Sequence, residues 1–231
     1  MSDNSICSVS AVFHYTSLTS LDTILKEDGV KLWATRYGFL NDKREFVWAN
    51  QVIKPELEKI AKQNGETYDP EHQVHPYIVS FCDAEDDLTM WRLYGNDGKG
   101  VCLTFDINEM DIRFENFMAH MSVVYANENN IRESIELAHN IYQQDYANTR
   151  IADNYREVSA FVKHKDYEIE QEYRIVKFVC DGFSCKYDST KKDFCKINDF
   201  TECSEDIKFR IRGNVLVPYM ELTFPKVSLK K

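Results

Sequence analysis

The apolar residues of this chain come in runs of strand length, and none is long enough to cross a bilayer as a helix. Seven segments read as short β-prone strands: 11–18, 30–35, 76–82, 101–105, 171–180, 208–211 and 215–224. Helix-spaced segments lie between them. Leu21, Ile24 and Leu25 share one helical face, with Thr19 or Ser20 as cap and Gly29 as the residue past the end. Asp42 is placed to cap a helix from about Lys43, interrupted at Pro55, which opens a second piece through Lys62. Residues 64–76 read as a loop. The segment 83–94, acidic first and apolar later, suits a capped helix. Gly95, Gly98 and Gly100 flank a turn. From 129 to 164, Ile131, Ile135, Ala138, Ile141 and Tyr142, then Ile151, Tyr155, Val158 and Val162, keep helical spacing and predict two helices. There is no internal repeat, low-complexity linker or break in composition. The reading is one α+β domain over 1–231, strands first, with a helical insertion at 129–164.

The charge balance narrows the partners. Twenty-eight Lys and Arg against 38 Asp and Glu give a net charge of −10, which repels a nucleic-acid backbone at long range. Non-specific nucleic-acid binding is not expected, although a local basic groove stays open. The seven cysteines are an odd number, and the first residues lack a basic stretch followed by an apolar one. Together these predict no secretory signal, reduced thiols and a cytoplasmic protein with no membrane partner. Cys180, Cys185, Cys195 and Cys203 contain no C-x-x-C pair and do not match a zinc ribbon, so no metal is expected. Nothing matches H-E-x-x-H, a phosphate-binding loop, G-x-S-x-G or a dinucleotide fingerprint.

Four constellations remain. In Phe13-His14-Tyr15-Thr16, strand alternation puts His14 and Thr16 on one face and Phe13 and Tyr15 on the other. A histidine there presents a ring nitrogen to a ligand hydroxyl, or else is satisfied by a carbonyl. In Ser80-Phe81 followed by Met90-Trp91-Arg92-Leu93-Tyr94-Gly95, Trp91 and Tyr94 share a helix face. They suit a flat ring, or they pack the helix onto the sheet. If the stretch from 167 to 175 is extended, Glu168, Glu170 and Glu172 face one way and raise one another's pKa unless a cation such as Arg174 intervenes. Asn41-Asp42 with Glu45 reads as a cap with a first-turn acid.

In combination these motifs resemble the bacterial domain-of-unknown-function family 2971. The resemblance rests on His14-Tyr15-Thr16, Asn41-Asp42 with Glu45, Ser80-Phe81, Met90-Trp91 with Tyr94-Gly95, Gly100 with Cys102-Leu103 and Phe105-Asp106, Glu170 with Glu172-Tyr173-Arg174, and Pro218-Tyr219 with Glu221-Leu222. Lys43 stands where the family usually has Pro, and Cys82 where its strand usually ends in Ser. More distantly, the order His14, Thr16, then Ser80 and Tyr94, then Glu170 and Glu172 is similar to that of mono-ADP-ribosyltransferases of the His-Tyr-Glu type.

That second resemblance implies a mostly antiparallel split sheet and an enzyme that consumes NAD as substrate by cleaving its nicotinamide–ribose bond. His14 would bond a ribose hydroxyl, and Thr16 would support the NAD-binding strand, with Ser80 in the central strand. Tyr94, with Tyr15 or Trp91, would stack the nicotinamide. Glu172 would stabilise the cationic sugar, and Glu170 would orient the acceptor or assist its deprotonation. Arg36, Arg92 or Arg174 would meet the pyrophosphate. The acceptor is open, as is transfer against hydrolysis, and a toxin or defence effector is the implied setting. The alternative is a non-catalytic module binding a nucleotide or a protein on the same scaffold. A metal-dependent nuclease using Asp42, Glu45 and Glu172 is a third reading.

Overall fold

The structure is a computed structural model that describes residues 9–66, 74–112, 118–145, 155–180, 184–188, 193–197 and 207–230. Residues 67–73 of the expected loop, Ile151, Cys203 and the N-terminal segment lie outside these. So do the side chains of Tyr142, Tyr155, Cys180, Cys185 and Cys195.

The strands are β1 (Ala11–Thr16), β2 (Val30–Arg36), β3 (Val74–Cys82), β4 (Val101–Asp106), β5 (Met118–Ser122), β6 (Val124–Ala126), β7 (Val162–His164), β8 (Glu172–Cys180), β9 (Ser184–Asp188), β10 (Asp193–Ile197), β11 (Lys208–Arg212) and β12 (Val215–Phe224). The helices are α1 (Leu21–Ile24), α2 (Lys43–Trp48), α3 (Lys54–Gln63), α4 (Leu88–Leu93), α5 (Ile131–Asp145) and α6 (Tyr155–Ser159). Strands and helices mix in one α+β architecture around an antiparallel eight-stranded sheet. Its order is β11-β12-β2-β3-β1-β4, and β8 pairs with both β3 and β5. The pairs β6–β7, which is parallel, and β9–β10 stand apart from it.

Alternation along the strands separates two faces. Val12, Leu32, Val79, Phe81, Leu103, Phe105, Ile175 and Leu222 pack on one face, closed by Ile24 of α1 and by Ile107 and Met110. On the other face Ile78, Ala119, Met121 and Val176 pack under α3, α5 and α6 through Leu57, Ile60, Ile135, Ala138 and Val158. The helices cover only part of this second face. Beyond them it carries polar side chains, and the pocket described below lies there.

Several local details differ from the sequence reading. The segment after β1 is a 3₁₀ turn (Leu18–Ser20) and a single α turn, with no side-chain cap bond. Gly29 does not end that helix. It lies against β12, where a Cβ would stand 2.6 Å from the Phe224 carbonyl oxygen. Asp42 does cap α2, accepting from the Arg44 N–H at 2.8 Å. The helix then widens into a π turn at Ala49–Ile53 before Pro55 enters α3, because proline has no N–H to continue the ladder. The helix after β3 is shorter than expected and starts at Leu88, capped by Asp87. The expected insertion holds α5 and α6 but ends in the strand β7. Residues 165–170 are a 3₁₀ helix closed by Gln171 in the left-handed region at φ 41°, so the three glutamates do not alternate along one strand.

Candidate functional site

One edge of β3 runs its full length beside β8, from Val74↔Cys180 to Cys82↔Glu172. The other edge is shared. β2 pairs with it at Tyr77 and Ile78, and β1 pairs with it at Cys82. Between these contacts Val79, Ser80 and Phe81 have no ladder partner on that edge, and the sheet opens. The His14 ring closes on the gap, with Nδ1 3.1 Å from the Ser80 carbonyl oxygen. A carbonyl only accepts, so Nδ1 carries the proton and Nε2 keeps its lone pair. Burial pushes the His14 pKa below its ordinary 6.5, against the pull of that bond. The ring is therefore neutral at physiological pH and acts as an acceptor at Nε2.

On the helix-side face the register sets Ser80 opposite Arg174 and Cys82 opposite Glu172. Glu172 and Arg174 are both buried. Arg174 Nε donates to Glu172 Oε1 at 2.8 Å and Nη2 to Oε2 at 2.9 Å, a bidentate pair. Nη1 donates to the Ala160 carbonyl at 2.7 Å and lies 2.7 Å from Glu45 Oε1. The parallel pair β6–β7 brings in Lys163, whose Nζ is 2.8 Å from Glu170, 3.1 Å from Glu172 and 3.7 Å from Glu45. The Ser80 hydroxyl bonds Glu172, and the Tyr125 hydroxyl accepts the Glu172 backbone N–H at 2.8 Å. Three carboxylates thus meet two cations in a largely buried cluster. Burial alone would raise the Glu172 pKa, but Arg174 and Lys163 outweigh it and hold that carboxyl well below the usual carboxylate range. Lys163 likewise stays charged, because Glu172, Glu45 and Glu170 overcome its desolvation and the repulsion of Arg174. The Tyr94 hydroxyl bonds Glu170, and burial with the nearby glutamates pushes its pKa up, so it stays a phenol.

These groups line a cavity of about 260 Å³. His14, Tyr15, Ser80, Tyr94, Glu170, Glu172 and Arg174 all border it, together with Asn41, Asp42 and Glu45. Thr16 and Trp91 do not. Trp91 meets the Tyr15 ring edge-on at 5.1 Å and donates from Nε1 to Asp86. The Tyr15 hydroxyl in turn donates to the Ala84 carbonyl and accepts the Asp87 N–H. Trp91 thereby fixes the approach of α4, which carries Tyr94 to the rim. Glu168 points away and pairs with Lys165. Of the three arginines considered, only Arg174 borders the pocket; Arg36 bonds His75 instead.

Sequence reasoning missed several wall residues. Lys163 sits in the buried run Phe161-Val162-Lys163, where a lysine needs a carboxylate partner. Glu45 does lie in the first turn of α2, as expected, and it is also buried against Arg174, a pairing the spacing does not show. The opposite wall is built by Trp33, Thr35, Arg210 and Arg212. Its signal was present in Lys208, Arg210 and Arg212, a cation at every second position of a strand.

The chemistry available is acid–base and electrostatic. Burial raises the Cys82 thiol to about 11, so the pocket offers no thiolate nucleophile there. Among the described residues no group of three or more His, Cys, Asp or Glu could hold a metal ion. Lys163 and Arg174 occupy the space between the carboxylates. Among the described residues no helix is long and apolar enough to cross a membrane.

No curated protein and no solved structure matches the chain. Residues 90–175, which carry Tyr94, Lys163, Glu170, Glu172 and Arg174 of this site, match the family described as protein of unknown function (DUF2971), and over that stretch the chain is similar to its members.

Proposed function

We propose that this protein is an NAD-consuming enzyme of the ADP-ribosyltransferase type, cleaving the bond between nicotinamide and ribose. The observation that carries the reading is convergence. His14, Ser80, Tyr94, Glu170 and Glu172, drawn from three separate parts of the chain, border one pocket at an opening in an antiparallel sheet.

The bond between ribose C1′ and the pyridinium nitrogen breaks heterolytically, and nicotinamide leaves neutral with the electron pair. The positive charge left behind is shared by C1′ and the ring oxygen. A preorganised carboxylate stabilises such a charge without reorganising, and Glu172 is held ionised whatever the bulk pH above the acid range. Neutral His14 accepts a hydrogen bond from a ribose hydroxyl at Nε2. Tyr94 offers its ring to the nicotinamide. The acceptor's lone pair then forms the new bond at C1′, and its proton passes to Glu170 or to solvent. Water in that role makes the enzyme an NAD hydrolase.

The bidentate Arg174–Glu172 pair favours a second reading. A carboxylate so fully satisfied also suits a structural ion cluster in a nucleotide- or protein-binding module. Nicotinamide release from NAD decides between them. Under the enzymatic reading the wild type releases nicotinamide, and Glu172→Gln lowers the rate by about 100-fold or more while the fold survives. Absence of release with cell lysate supplying acceptors, together with absence of NAD binding by calorimetry, overturns it.

A further inference from the structure

The carboxylate wall accounts for one side of the pocket, and the β11 wall that faces it is cationic. Lys208, Arg210 and Arg212 alternate along β11 and face the same side of the sheet as Trp33, Thr35 and Tyr219. Lys208 is neutralised by Glu221 at 2.7 Å. The other two have no carboxylate partner among the described residues. Arg210 donates to the Thr35 hydroxyl at 2.9 Å, and its guanidinium lies over Trp33 at 5.1 Å and Tyr219 at 5.6 Å. Arg212 donates to the Phe39 and Leu40 carbonyls at 2.6 and 3.2 Å and to Asn41 Oδ1. Both side chains border the cavity. A chain with a net charge of −10 has placed two like charges at successive positions of one face of a strand, half-buried, where each raises the cost of the other. Burial and Arg212 both push the Arg210 pKa down. An anion between them relieves that repulsion.

We propose that Arg210 and Arg212 form an anion subsite that binds the diphosphate of a nucleotide, with Trp33 and Tyr219 as the apolar ledge beside it. Alternate strand residues stand about 7 Å apart, so two guanidinium groups span two linked phosphates, where a single carboxylate would meet only one. Each guanidinium has five N–H groups and spends few of them on the protein, which leaves donors for phosphate oxygens. The walls are complementary: the anionic end of a ligand lies on β11, and the end where positive charge develops lies on the Glu172 side. The proposal rests on the NAD reading for the identity of the whole ligand, and the diphosphate subsite itself is testable without it.

Calorimetry with ADP and with adenosine on the wild-type protein is the first arm and needs no variant. ADP is expected to bind at least tenfold tighter than adenosine, with an affinity that falls as salt rises. Arg210→Gln is expected to weaken ADP at least tenfold and leave adenosine unchanged, and Arg210→Lys is expected to lose less than Arg210→Gln. Equal binding of ADP and adenosine, no ADP binding at millimolar concentration, or equal ADP binding by wild type and Arg210→Gln overturns the subsite. Arg210-dependent ADP binding without NAD cleavage keeps the subsite and sinks the NAD reading. NAD cleavage with an unchanged KM in Arg210→Gln does the reverse.

Discussion

Lys163 shows how much one buried side chain can decide. It is the cation that lets Glu170 approach Glu172, since both carboxylates bond its Nζ. Without it, Glu172 keeps Arg174 but loses the second cation that holds its carboxyl low, with Glu170 and Glu45 still nearby. Lys163→Gln is therefore expected to raise the pKa of Glu172 and to move the acid limb of nicotinamide release upward by about one pH unit. A purely structural Lys163 would lower the rate at every pH alike, so the pH profile separates the two roles. Arg174 is less forgiving. Removing a buried partner of two carboxylates costs about 3–5 kcal/mol, enough to unfold a marginal domain.

At the scale of elements, the turn between α4 and β4 sets the position of Tyr94. Gly100 is in close contact with β1: a Cβ there would lie 2.1 Å from the Thr16 carbonyl oxygen and 2.7 Å from that of Gly95. Both are backbone atoms: moving the first parts β1 from β4, and moving the second breaks its bond from the Gly100 N–H. Gly98 is different. It has φ +77°, but a Cβ on it would meet nothing within 4 Å. Gly100→Ala is expected to cost about 2–3 kcal/mol, and Gly98→Ala about 1 kcal/mol from its left-handed backbone alone. Urea unfolding midpoints give the comparison, and equal losses would mean that the close approach is relieved at no cost. The same contact explains why a glycine stands before the strand: it is required by packing, not by turn geometry.

For the molecule as a whole, the pocket makes stability depend on pH. His14 has a folded pKa below 6.5 and Glu172 one below 4.5. In each case the unfolded chain binds the proton first as pH falls, so stability is complete above the unfolded value and drains away below it. The loss is expected to begin near pH 6.5 with His14 and to steepen below pH 4.5 with Glu172. Asp83, whose pKa burial raises, works weakly in the opposite direction. Chemical denaturation between pH 7.5 and 4 checks this. His14→Gln should flatten the upper part of the curve and leave the lower part unchanged.

Much of this protein was legible from its residues because the signals are local. Strand alternation showed seven strands and put His14 and Tyr15 on opposite faces. Asp42 announced its cap, and the motif pieces His14, Ser80, Tyr94 and Glu172 stood out by residue type. Where local signals conflicted, the reading failed. Glu168, Glu170 and Glu172 looked like one strand face because alternation alone cannot detect the left-handed Gln171 that ends a 3₁₀ turn. For Trp91 the sequence left ring stacking and packing both open, because helix spacing says which residues share a face but not what that face meets; the indole packs against Tyr15. Only the tertiary structure decided that β1 and β2 share one edge of β3, that β7 delivers Lys163 to Glu172, and that β11 closes the far wall with Arg210 and Arg212. The physical reason is range. Period and capping act within a few residues, whereas the neighbours of a strand follow from burial and hydrogen bonding between segments far apart, such as Arg210 and Thr35.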